Sequence, residues 1–175
     1  VIRSKYLFFA LISAFSFNAI ANNIVVGKKL PTLNITDGGD LHFNTKGQRQ
    51  FRTWSTNSLK NHKKIIQYMP GRLSSKENLG LNAAVYNIDH PHRCRTVSIV
   101  NFMDAIWGTW IFIEPEMARN KKLTPLCDVV LDKAGIGQVQ WGHQLDKNNT
   151  IVINEEGIVI FFHVGKLSKQ HIEHI

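Results

Sequence analysis

Five short apolar runs limit what this chain can fold into. They are Lys63 to Met69, Cys94 to Asn101, Cys127 to Leu131, Thr150 to Asn154 and Ile158 to Phe162. Each is the length of a strand, and the continuous apolar stretches suit strands buried on both faces. Glu155-Glu156-Gly157 separates the last two and reads as a hairpin turn, with Gly157 where a positive φ is needed. Helical segments fall between the others. Ser74 and Glu77 have the spacing of a capping box, which predicts a helix over Ser75 to Tyr86 with Leu79, Asn82, Ala83 and Tyr86 on one face. Pro115 to Leu123 has helical composition with proline in the first turn, and Lys166 to Ile175 reads as a short closing helix. Upstream, Asp37-Gly38-Gly39-Asp40 reads as a turn before a short strand over Leu41 to Asn44, with Phe51 to Trp54 as its partner. Phe102 to Glu114 has no clean period. Asp132 to Gly135 reads as a turn from which Gly137 to Trp141 returns. The order is β, β-α-β-α-β, a hairpin and a final helix. It predicts an α/β fold, a mixed sheet with helices on both faces.

The N-terminal stretch does not belong to that fold. Arg3 and Lys5 precede an uncharged apolar run, Tyr6 to Phe17, and Ala19-Ile20-Ala21 supplies small residues before Asn22. This is the layout of a secretory signal cleaved after Ala21. A spanning helix needs roughly 20 apolar residues, and this run is shorter and broken by Ser13, Ser16 and Asn18. The expectation is residues 1–21 as a cleavable signal and 22–175 as one exported domain, with no stable membrane insertion afterwards.

Charge and cysteine content narrow the function classes. The chain carries +8, and loss of Arg3 and Lys5 with the leader lowers this to +6. The basic residues are scattered, with no run of five like charges, which favours a solvated surface over nucleic-acid binding. Cys94 and Cys127 are the only cysteines, 33 positions apart, and no C-x-x-C occurs. An oxidising compartment permits a disulfide between them. A static cross-link, two buried thiols and an unusual redox pair are the readings open. No metal site is expected. His90-Pro91-His92 and the pair His171 and His174 lack a third ligand at recognisable spacing and read as surface histidines. Trp107 and Trp110 could form an exposed patch for a partner, but core packing is the expectation for tryptophan.

The element order is similar to the thioredoxin-like fold. Within that fold the sequence resembles the YtfJ family, exported bacterial proteins, at Thr53-Trp54, at Gly71-Arg72-x-Ser74-x-Lys76-Glu77, at Thr96 to Asn101 with Asp104-Ala105-Ile106, and at Asn120-Lys121-Lys122-Leu123. The resemblance implies a thioredoxin-like domain in the periplasm. In redox-active members of the fold, the loop after the first central strand carries the reactive cysteine, and a cis-proline precedes the hairpin strand. Here the loop is Met69-Pro70-Gly71-Arg72-Leu73-Ser74-Ser75, without cysteine, and Asn148 or Asn149 stands at the proline position.

These departures point away from dithiol chemistry and from any cofactor, and toward binding. A helix N-terminus presents free N–H groups and partial positive charge. Gly71 would allow close approach, Arg72 would add a forked cation, and Ser74, Ser75 and Lys76 would add donors. Together they could hold a small anion or an anionic protein segment. The plainer reading is that Ser74 and Glu77 cap a helix while Arg72 pairs with an acid such as Asp104. The rival function is a divergent thiol–disulfide oxidoreductase using Cys94 and Cys127.

Overall fold

The computed structural model describes residues 22–59, 61–72, 94 and 96–175. The leader, the predicted Ser75–Tyr86 helix with its capping box, and His90 and His92 lie outside the described residues.

Seven strands form one sheet: β1 (Asn34–Phe43), β2 (Arg49–Ser55), β3 (Lys64–Pro70), β4 (Thr96–Asn101), β5 (Asp128–Asp132), β6 (Asn149–Ile153) and β7 (Val159–Val164). Their spatial order is β2-β1-β5-β4-β3-β6-β7. β3, β4 and β5 run parallel, and β6 and β1 flank them antiparallel. β6 and β7 form the expected antiparallel hairpin. Among the described residues the α-helices are α1 (Ile113–Leu123), α2 (Ile136–Trp141) and α3 (Lys169–Glu173).

Alternation along the strands splits the core between the two faces. On one face Ile66, Tyr68, Val97, Ile99, Val130 and Ile151 pack with Trp141 of α2. On the other, Leu41, Val129 and Leu131 pack with Ile113 and Met117 of α1. Ile65 and Val152 meet Leu167 and Ile172 near the C-terminus. The mixed sheet with helices on both faces is therefore as the sequence predicts.

Three local expectations are corrected or refined. First, Asp37 to Asp40 is not a turn: β1 runs straight through it, with its register shifting between Ile35 and Asp40. Gly38 and Gly39 have φ of +96° and +94°. A Cβ on Gly38 would stand 2.2 Å from the Leu131 carbonyl oxygen of β5, and one on Gly39 2.0 Å from that of Arg52 on β2. The glycine pair thus makes a bulge through which β1 touches both neighbours. Second, the segment that returns from the Asp132–Gly135 turn is a helix, Ile136–Trp141. Asp132, at the end of β5, accepts from the backbone N–H groups of Ile136 (2.9 Å) and Gly137 (2.7 Å) and starts the helix there. Third, the Phe102–Glu114 stretch folds as two 3-10 turns, Phe102–Asp104 and Trp110–Phe112, and α1 begins two residues before Pro115. The closing helix is shorter than predicted and starts after Ser168, whose side chain accepts from the His171 N–H.

One buried ion pair ties these parts together. Asp40 of β1 accepts two hydrogen bonds from Arg52 of β2 at one oxygen. Its other oxygen accepts from Lys121 of α1 and from the Val129 N–H of β5. The Lys121 ammonium also donates to the Cys127 carbonyl at 2.6 Å.

Candidate functional site

The parallel strands β3, β4 and β5 end together, at Pro70, Asn101 and Asp132. At the carboxyl ends of such strands, loops converge and present side chains without further support. Three layers of polar groups are built there.

The deepest layer centres on Asp132, which is fully buried. Besides starting α2, its carboxylate accepts from the Tyr68 hydroxyl at 2.9 Å, and that hydroxyl accepts from the Gln138 N–H at 2.9 Å. Burial first, and then the neighbouring Asp132 charge, push the Tyr68 pKa upward, so the phenol stays protonated. Gly137 is needed here: a Cβ would lie 2.3 Å from the Tyr68 ring. His143 packs its ring on Tyr68, with centroids 4.6 Å apart, and edge-on against Trp141. Burial lowers its pKa to about 4, and the neighbouring Asn149 side chain opposes this only in part.

The middle layer is Asn101 and Gly71. The Asn101 amide donates to Gln138 at 2.8 Å and accepts from the Met103 N–H. The Gly71 N–H donates to the Asn101 carbonyl at 2.8 Å. A Cβ on Gly71 would come within 2.6 Å of that oxygen. Gly71 therefore serves close approach of two strand ends.

The outer layer holds Arg72. Its guanidinium donates to the Asp104 carboxylate at 3.0 Å and to the Asp104 carbonyl at 3.2 Å. It also pairs with Asp146, from the loop that precedes β6. Asp104 is buried, whereas the Asp146 side chain is 57% exposed. The Asp146 backbone adopts φ of +61° and donates its N–H to Asp104 at 2.8 Å. Arg72 is thus already balanced by two carboxylates, the second of them open to solvent. Sequence reasoning named Asp104 as a partner but missed Asp146. Ser74, Ser75 and Lys76 lie outside the described residues. Asn148 and Asn149 are both buried beside this cluster, and the described residues contain no cis peptide bond.

Cys94 and Cys127 sit at the opposite end of the sheet. Cys94 lies two residues before β4 and Cys127 one residue before β5, and they are joined as a disulfide with Cα atoms 5.0 Å apart. Strands rise about 3.3 Å per residue, which puts the disulfide roughly 20 Å from Arg72. Cys127 follows the C-terminal end of α1, where the helix dipole disfavours a thiolate. Among the described residues, no group of three or more His, Cys, Asp or Glu side chains is placed to hold a metal ion.

One expectation fails. Trp107 is 94% exposed, and Trp110 is half exposed and meets the Phe102 ring edge-on. The turns at 102–104 and 110–112 hold their own backbone bonds and so do not drive these rings inward.

Comparison with known proteins fits this architecture. The thioredoxin domain of a thiol-disulfide oxidoreductase from Bacteroides vulgatus superposes with a TM-score of 0.52, covering 86% of this chain and 94% of its own at 16% identity. A putative protein disulfide isomerase from Bacteroides thetaiotaomicron gives 0.54, covering 87% and 89% at 14% identity. At such identity the likeness is one of fold, and the fold is thioredoxin-like. In sequence, the chain is 30% identical over 159 residues to the uncharacterized protein YtfJ of Escherichia coli, covering 90% of this chain and 86% of that protein. It is 28% identical over 161 residues to an uncharacterized protein of Haemophilus influenzae, covering 91% and 87%. Residues 24–175 match the family described as bacterial protein of unknown function (YtfJ_HI0045), and the chain belongs to that family.

Proposed function

We propose that this protein is a periplasmic binding module that does no dithiol chemistry, and that it takes an anionic group at Arg72. The observation that carries this reading is the asymmetry of the Arg72 ion pairs. Asp104 is buried and Asp146 is exposed, and both meet the same guanidinium nitrogen, Nη2. An exposed pair contributes only about 0–1 kcal/mol. A carboxylate or phosphate from a ligand can therefore displace Asp146 and take up the forked geometry that guanidinium favours. Asp146 is then an internal stand-in for the ligand. The group could come from a free anion or from an acidic protein segment, and the chemistry at Arg72 is the same.

The test is an NMR titration of the wild type, Arg72→Ala and Asp146→Asn, using inorganic phosphate in one arm and an acidic peptide in the other. Asp146→Asn removes the competitor and should tighten binding several-fold, while Arg72→Ala should remove it. Saturation by phosphate alone assigns the site to a free anion; saturation by the peptide alone assigns it to a protein segment. If neither substitution changes the response to either probe, Arg72 is a structural residue and the reading fails. The rival reading, an oxidoreductase, would have to work through Cys94 and Cys127, at the other end of the sheet.

A further inference from the structure

The exposed stretch from Ala105 to Phe112, between Asp104 and α1, makes no contact with Arg72 among the described residues, and its chemistry is specific. From Ala105 to Ile113 nine consecutive residues, Ala-Ile-Trp-Gly-Thr-Trp-Ile-Phe-Ile, carry no charge. Ile106, Trp107, Trp110, Ile111 and Phe112 are all about half exposed or more, and Met103 just before them is 65% exposed. A contiguous apolar surface of this kind marks an interaction site. We propose that this loop rests in the interfacial layer of an anionic lipid bilayer, as a reversible peripheral contact.

Three observations favour lipid as the occupant. Trp107 is 94% exposed, so it projects from the molecule rather than lining a concave groove that a protein segment could fill. Tryptophan on a projecting tip suits the headgroup region, where its ring is buried and its N–H stays hydrated. Next, the loop satisfies much of its own backbone. The N–H groups of Ala105, Thr109 and Phe112 donate to the carbonyls of Phe102, Ile106 and Thr109, and the Thr109 hydroxyl donates to Ile106. A segment with internally paired backbone enters a poorly hydrated layer at lower cost. Last, charge is complementary. The chain has 21 Lys and Arg against 13 Asp and Glu. The flanking acids Asp104 and Glu114 are both held by arginines, Arg72 and Arg49. Lys133 precedes the turn whose Gly135 packs against Met103, and Lys147 follows the Asp146 that hydrogen-bonds Asp104. Both lysines lie within two residues of groups that touch Met103 or Asp104 at the base of the loop, from where they can meet lipid phosphates.

The test uses the exported protein, with its N-terminus read by intact mass, and vesicles of phosphatidylglycerol mixed with phosphatidylcholine or of phosphatidylcholine alone. Trp54 and Trp141 are buried, so changes in tryptophan emission report on Trp107 and Trp110. Expected are co-flotation with the phosphatidylglycerol vesicles, a blue shift, quenching by brominated lipid, and weakening as salt rises. The double variant Trp107→Ser/Trp110→Ser changes exposed residues, and its far-UV circular dichroism should match wild type. It should bind about tenfold more weakly, by the scale of burying aromatic groups in the interface. The proposal is overturned if the protein ignores phosphatidylglycerol vesicles, if the double variant binds as wild type does, or if charge of the lipid makes no difference. Loop-dependent self-association or capture of a protein, without vesicle binding, also overturns it.

Discussion

At the scale of single residues, His143 is the buried group whose shift falls within the pH range where the folded protein can be titrated. Its ring is buried against Tyr68 and Trp141, and burial lowers its pKa from 6.5 to about 4. The unfolded chain therefore binds a proton that the folded one refuses between those values. Stability should be full above about pH 6.5 and fall as the pH drops toward 4, by about 3 kcal/mol in all. Urea unfolding across this range should show the loss, and His143→Phe should flatten it; an unchanged slope in the variant would place the acid sensitivity elsewhere. Asp132 carries more weight at neutral pH. Asp132→Ala would strand two backbone N–H groups and the Tyr68 hydroxyl, at about 1–3 kcal/mol each when buried. We expect at least 3 kcal/mol of destabilisation by denaturant titration, with Tyr68→Phe costing less because Asp132 keeps its two backbone donors. Little of this was legible in the sequence. Arg72 and Asp104 stood out because an arginine beside a glycine after a central strand needs an acid. His143 and Asp146 lie in a polar loop whose spacing encodes no contact, and only the return of that loop to the ends of β3 and β4 brings them in.

At the scale of elements, the strands could be read because their apolar runs are short and sharply bounded, and parallel β3, β4 and β5 followed from the helical spacers. One error arose where a glycine does two jobs. Gly38 and Gly39 look like a turn, but their missing Cβ atoms admit β5 and β2 to the same stretch of backbone. Gly38→Ala should therefore destabilise by more than 2 kcal/mol, the scale of an unrelieved backbone clash at positive φ, measurable as a lower thermal midpoint. In the same way Gly137 lets α2 press on Tyr68 after Asp132 has turned the chain. The disulfide belongs at this scale too. It links the amino ends of β4 and β5 across 33 residues of sequence. Replacing both cysteines by alanine should cost about 2–4 kcal/mol by loop-closure entropy, and leave the response of the Arg72 site to phosphate unchanged.

Across the whole molecule, the sheet separates two kinds of chemistry by its length. The disulfide sits at the amino ends of the parallel strands, where Lys121 also binds the Cys127 carbonyl and anchors it to the Asp40 ion pair. Arg72, its two carboxylates and the apolar loop after β4 gather at the carboxyl ends. In the thioredoxin-like fold this is the end where a thiol and a cis-proline would meet, and here an arginine and an aspartate meet instead. The most direct measurement is a thiol-trapping redox titration of the purified protein, read by intact mass. A structural staple predicts one oxidised species whose potential lies below about −300 mV. Cycling of Cys94 and Cys127 at a markedly more oxidising potential would contradict it and make the protein an oxidoreductase.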